Sequence, residues 1–176
     1  MRTAAEMEKY AKDNKFIYYG SSALKHFKLI ETTLLPDEDV ILPLAPGIGP
    51  MEVEALVFTN KNIIVAHKSL LDTYTVSVGL DKVRNISTAT PGFFDGEILI
   101  ETLDKKIHIR FSKKIVKILH PQIVAIIEDY RKKQASNQKK ASHASLADEL
   151  KKYAELLKEG VITNQEFESI KTRLMK

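Results

Sequence analysis

The side chains in this sequence that could do chemistry are widely spaced. Five histidines, His26, His67, His108, His120 and His143, offer imidazole for metal binding or proton transfer. No ligand pair falls on one helical turn, and there is no cysteine to complete a set. No metal site and no cofactor are expected. His67 and His108 fall on predicted strands and read as edge or surface residues. A Ser-His-Asp grouping can be drawn from so many serines, but a nucleophile elbow joining strand to helix is missing. Residues 45–50 contain Gly47-x-Gly49 between Pro46 and Pro50. With strands predicted on both sides, this stretch lacks the helix N-terminus that would offer free N–H groups to a phosphate, and it reads as a rigid loop. No catalytic residue is assigned, and the chain reads as a non-enzyme.

Two other groups invite contact with a partner. Lys68, Lys82, Arg84, Lys105 and Lys106, with Lys132, Lys133, Lys139 and Lys140, are candidates for holding an anionic lipid or a phosphate-bearing ligand. The formal net charge is +4, and its excess lies near the end: residues 1–132 carry 18 basic and 17 acidic side chains, residues 133–176 carry 9 and 6. The run from Arg131 to Lys140 contains no carboxylate. It also lacks interleaved aromatics, so a solvated linker is the plainer reading and nucleic acid is not an expected partner. In the loop 90–96, Phe93 and Phe94 lie between strong turn formers and cannot easily both point inward. One exposed ring would suit a protein contact or shallow insertion at a membrane surface, and the alternative is a ring capping the end of a barrel.

These residues need a frame. A chain of 176 residues, 44% hydrophobic and 28% charged, has the composition of a globular protein with one main domain and a small appendage. No apolar run approaches the roughly 20 residues of a spanning helix, and the first residues do not read as a secretory leader. A cytoplasmic protein, at most peripheral to a membrane, is expected.

The spacing of Ala4, Met7, Tyr10 and Ala11 predicts a short helix that could act as a docking arm. A second helix, capped by Ser21 or Ser22, carries Leu24, Phe27, Leu29 and Ile30 and ends before Pro36 and the acidic turn Asp37-Glu38-Asp39. From residue 40 to 111 the period becomes two. Strands are predicted near 40–44, 54–59, 62–67, 73–78, 85–89, 96–101 and 106–111, with tight hairpins at Asn60-Lys61 and Asp104-Lys105. Seven strands at this spacing point to a barrel or sandwich that hides its edges. Ser112 opens a helix whose Ile115, Val116, Leu119, Ile123, Ile126, Ile127 and Tyr130 form one face, kinked or divided at Pro121.

The chain divides into an N-terminal helical arm (1–32), a β-rich domain with its closing helix (33–132), a basic polar linker (133–144) and a helical hairpin (145–176). Ser145 and Asp148 mark the start of the hairpin, Gly160 a left-handed C-cap, and Thr163 with Glu166 a capping box. Its apolar stripes carry Leu150, Tyr153 and Leu157, then Ile162, Phe167, Ile170 and Leu174. About 32 residues hold too little core to stand alone, so this segment needs a neighbour. The expected partner is another copy of the chain or another protein; weak contact with an anionic membrane is the alternative.

Residues 145–176 closely resemble the short C-terminal module of bacterial and phage proteins called SHOCT, through Leu150, Leu156, Leu157, Gly160, Ile162, Thr163, Glu166, Phe167 and Leu174. Residues 34–130 resemble the bacterial pleckstrin-homology-like domain of the YokE type, through Glu38, the hairpin 56–61, Val76-Ser77-Val78, Leu80-Asp81-Lys82-Val83 and the closing helix. These resemblances imply an α+β fold: a seven-stranded roll or barrel with N-terminal helices and a closing helix, followed by a helical hairpin. They also imply no catalytic centre and a tendency to self-associate. They carry over no ligand-binding residues.

Overall fold

In the computed structural model residues 1–18, 23–49 and 52–174 are described, the side chains at 48, 49, 52, 53 and 139–147 excepted. The chain forms two compact units, Met1–Tyr130 and Arg131–Lys176. The first is an α+β body with two main antiparallel sheets and helices at both its N- and C-terminal ends.

Helices α1 (Ala4–Asp13) and α2 (Leu24–Thr33) open this body. Thr3 and Glu6 form a reciprocal capping box on α1, and the backbone bonds at Thr3 and Arg2 pull the Glu6 carboxyl down to about 2. The two helices also cap one another. Glu8 of α1 accepts the N–H groups of Ala23 and Leu24 (both 3.1 Å) at the start of α2, and Glu31 of α2 accepts the N–H of Ala4 (2.9 Å) at the start of α1. Each carboxylate thus meets the positive end of the other helix's dipole. The N-cap of α2 is Ala23, with no side-chain cap of its own, and the expected caps Ser21 and Ser22 lie outside the described residues. Far from being a separate arm, the helices bury Met7, Ala11, Phe27 and Ile30 in the same core as the sheets.

The first sheet has the order β1-β4-β5-β6, from β1 (Val40–Leu44), β4 (Ala55–Thr59), β5 (Asn62–Lys68) and β6 (Thr73–Gly79). Between β1 and β4, the stretch expected as a rigid loop makes a small hairpin of β2 (Gly47–Gly49) and β3 (Glu52–Val53). Pro50 lies outside the described residues. The second sheet has the order β7-β8-β9, from β7 (Val83–Ala89), β8 (Asp95–Thr102) and β9 (Lys106–Ser112). β9 alternates strictly between buried and exposed residues, as a one-sided strand should. β4 does not alternate; all five residues are buried, because it lies inside its sheet with α2 packed against it and against β5. These two sheets with helices at both ends form the expected α+β roll, and among the described residues β1, β6, β7 and β9 stand at the sheet edges.

The Asn60-Lys61 hairpin pairs Phe58 with Ile63 and Val57 with Ile64. Beneath it lies an unforeseen polar knot. Glu38, 1% exposed, accepts the Thr59 hydroxyl (2.6 Å) and the Asn62 amide (2.8 Å) on one oxygen and the Leu35 N–H (3.3 Å) on the other. Asn60 and Lys61 add bonds to the backbone and side chain of the 37–39 turn. The acidic turn is therefore tied to the hairpin, with Glu38 as its buried anchor.

Helix α3 (Lys113–Lys158) is continuous through Pro121, where a kink or a division was expected, so the division is not found. Pro121 is exposed, so water can satisfy the carbonyl it leaves unbonded. Val116, Leu119, Ile123 and Ile127 form its buried stripe. Residues 133–144, expected as a linker, are helical within α3. Helical propensity does not require an apolar period, and no Gly or Pro interrupts the chain between Pro121 and Gly160.

In the second unit, Gly160 adopts φ +74°, a conformation costly for any residue with a Cβ, while its N–H and that of Val161 close the helix end. Thr163 and Glu166 form the capping box of α4 (Asn164–Leu174), with N–H···O distances of 2.8 and 3.3 Å. The backbone N–H of Thr163 also holds the Glu166 carboxyl below its ordinary range.

Candidate functional site

A cavity of about 390 Å³ opens beside β9. Leu56, Val65, Val76 and Ile107 supply apolar lining, and Lys105, Lys106, His108, Arg110 and Glu54 supply polar groups. Leu56, Val65 and Val76 share one row across β4, β5 and β6. Lys106, His108 and Arg110 alternate along β9, so period two places all three on one face. That face answers β8 in kind. Glu97 receives both Arg110 Nε (2.9 Å) and His108 Nδ1 (3.0 Å), and Glu101 receives Lys106 Nζ (3.0 Å). Burial pushes the Glu97 carboxyl up, but the bonds from Arg110 and His108 outweigh it and leave the group below its usual range. Glu101 is lowered by Lys106 and then Asn85. Carboxylates held ionised in this way are poor proton acceptors at neutral pH, and the surface favours ion pairing over acid–base chemistry.

Glu54 accepts the phenolic hydrogen bond of Tyr74, whose pKa is raised by burial and then by that carboxylate. Tyr74 stacks on His67 at 5.3 Å between ring centroids, and His67 stacks on His26 at 5.7 Å. His67 is therefore half-buried on an inner strand, between His26 of α2 and Tyr74 of β6. His26 donates from Nε2 to the Lys68 carbonyl (3.2 Å), which leaves Nδ1 without a proton in the neutral ring. Among the described residues neither this atom nor His67 Nδ1 has a hydrogen-bond partner. Burial lowers the His26 pKa to about 4, with the Lys25 charge adding to the effect. No group of three or more His, Asp or Glu among the described residues is placed to hold a metal ion.

Within the first unit, the basic residues named from sequence fall at separate places. Lys105 and Lys106 line the cavity, joined there by His108 and Arg110, which the sequence reading did not single out as anion contacts. The alternation of Lys, His and Arg along one strand was the available signal. Lys68 lies instead with Lys25 and Lys28 along α2. Lys82 and Arg84 are exposed and line neither cavity; Lys132 and Lys133, in the second unit, are exposed, and the side chains of Lys139 and Lys140 lie outside the described residues. Phe93 and Phe94 are 85% and 75% exposed and pack edge-on against each other, so neither ring caps the sheets. Leu70 and Leu71, in the turn between β5 and β6, form a second exposed apolar pair that the sequence reading did not single out.

No family model matches this chain. No curated protein matches it. Among solved structures it is similar to a DUF1696-family protein with a pleckstrin-homology domain from Shewanella loihica, at 18% identity over 57% of this chain and 91% of that one, with a TM-score of 0.43. It is also similar to a pleckstrin homology domain from Shewanella amazonensis, at 14% identity over 62% and 92%, with a TM-score of 0.42.

The second unit presents a different surface. Leu150, Tyr153, Leu157, Ile162, Phe167, Ile170 and Leu174 are all half-buried, and no described residue of α4 is fully buried. The caps that shape this hairpin are complete while its interior is not. No helix among the described residues is long and apolar enough to cross a membrane.

Proposed function

We propose that this chain is a non-enzymatic binding and assembly protein, in which a pleckstrin-homology-like body is joined to a SHOCT-like hairpin that brings copies of the chain together. The observation that carries the reading is the half-buried stripe of the hairpin. A large apolar side chain gains about 1.5 to 3 kcal/mol only on full burial, and none of the seven named residues reaches it within one chain. A second copy or another protein would complete that burial. Sedimentation velocity of the full chain against a Leu157→Glu, Phe167→Glu variant tests this. The wild type is expected above monomer mass and the variant at it; a wild type that stays monomeric up to its solubility limit refutes self-assembly.

A second reading draws on the cavity beside β9, where Lys105, together with Lys106, His108 and Arg110 if a ligand displaces their Glu101 and Glu97 partners, would face an anionic lipid headgroup or another phosphate-bearing ligand over an apolar lining. It would place a cytoplasmic protein at the membrane periphery. Co-sedimentation with anionic vesicles at low and moderate salt tests it, and failure to bind at low salt removes it.

A further inference from the structure

We infer that the free edge of β7, with the adjoining face of α3, is a docking groove for an extended acidic peptide of a partner protein. The inference does not depend on the hairpin. Among the described residues β7 pairs only with β8, so one side of its backbone from Arg84 to Ala89 has no strand beside it. Exposed edges are normally blunted by lysine, proline, an inward charge or a bulge. β9 carries Lys106, His108 and Arg110, and β1 carries Pro43. β7 has an irregular register only between Val83 and Asn85; from there to Ala89 its pairing is regular, and the residues Ile86-Ser87-Thr88-Ala89 hold neither charge nor proline. β6 is similarly plain, but β7 has a helix face next to it.

That face makes the groove selective. A cavity of about 450 Å³ runs between Thr88, Ala89 and Thr90 on one side and Lys113, Val116, Lys117 and His120 of α3 on the other. Gly96 forms part of its wall: a Cβ there would meet Val116 Cγ2 at 3.0 Å and the Lys113 Cα at 3.1 Å, so glycine sets how closely α3 lies on β8. No carboxylate lines the groove, and among the described residues neither Lys113 nor Lys117 forms an ion pair. Lys113 Nζ lies 5.8 Å from the centre of the Phe93 ring, which joins the exposed Phe93–Phe94 pair to the same surface.

Each feature selects one property of the occupant. A free edge takes an extended backbone, because strand addition satisfies its unpaired N–H and C=O groups. Two lysines without counter-charges, with His120 beside them, favour Asp or Glu on the side chains facing α3. The exposed phenylalanines add an apolar contact beyond the end of the strand. A pairing length of about six residues spans roughly 20 Å, enough for specificity from alternate side chains.

The test is selection of a displayed random dodecapeptide library on the full-length chain, followed by amide NMR mapping of the enriched peptide. Acidic peptides are expected, with shifts concentrated at residues 84–90 and 113–120. N-methylation of alternate peptide amides should abolish binding, and Lys113→Glu with Lys117→Glu should weaken it by at least about tenfold. Enrichment of basic or purely apolar sequences, no enrichment at all, shifts confined to β6 or the hairpin, or undiminished binding to the charge-reversed protein would each overturn the proposal. So would concentration-dependent broadening at β7 without peptide, which would make the occupant a second copy.

Discussion

Replacing Glu38 with alanine tests whether the first unit depends on its buried polar knot. The carboxylate is 1% exposed and accepts three hydrogen bonds, from Thr59, Asn62 and Leu35. Bonds to a charged group contribute about 1.5 to 3 kcal/mol each when both partners are buried. The full sum does not apply here. Thr59 can turn its hydroxyl wholly to the Asn62 carbonyl at 3.1 Å, and Leu35 is half exposed, so water can reach its neighbourhood. Relief of the cost of burying a carboxylate offsets a further part. The net loss is about 2 to 3 kcal/mol, which moves a urea midpoint by about 1 to 2 M at a slope typical of a small domain. Tyrosine fluorescence and circular dichroism in urea would measure it. Glu38→Gln, which keeps an oxygen acceptor, should lose about 1 kcal/mol. Asp37→Ala, which removes only the exposed pair with Lys61, should lose under about 0.5 kcal/mol. If Glu38→Ala melts within about 0.5 kcal/mol of the wild type, the knot does not anchor the turn and the reasoning fails.

Gly96→Ala should cost about 1 to 3 kcal/mol, because the backbone of α3 must retreat from the new methyl group, and amide exchange along residues 113–120 should quicken. Gly160→Ala places a Cβ at φ +74° with open space around it, so only backbone strain opposes it; a loss of about 1 kcal/mol, read as earlier thermal melting of the hairpin, is expected. His26 has its pKa lowered from 6.5 to about 4 by burial, so between those values the unfolded chain binds more protons than the folded one. Its contribution is complete above pH 6.5 and is lost as pH falls towards 4. Urea midpoints at pH 7 and pH 5 should therefore fall less for His26→Phe than for the wild type, and equal falls would assign the acid sensitivity to other groups.

What could be read from the residues alone was what is encoded within a few positions. The turn at Asn60-Lys61, the left-handed Gly160 and the Thr163–Glu166 box all follow from local backbone preference and side chains three or four residues apart. The alternation of β9 and the stripe of α3 were equally legible, since burial on one side imprints its period on the chain. The extra bonds made by those same elements were not. Glu38 looks like any acidic turn residue until Thr59 and Asn62 close over it, and Glu8 and Glu31 become caps only when α1 and α2 lie side by side. Contact with α2 erased the period of β4, and a polar stretch expected as linker continued as helix because helical hydrogen bonds need no apolar side chains. The lysines separated for a related reason: a side chain's charge is written in its residue type, whereas its neighbours depend on sheet order and register. That order also left β7 at an edge beside a cationic helix face, a juxtaposition of segments distant in the chain that no local pattern records.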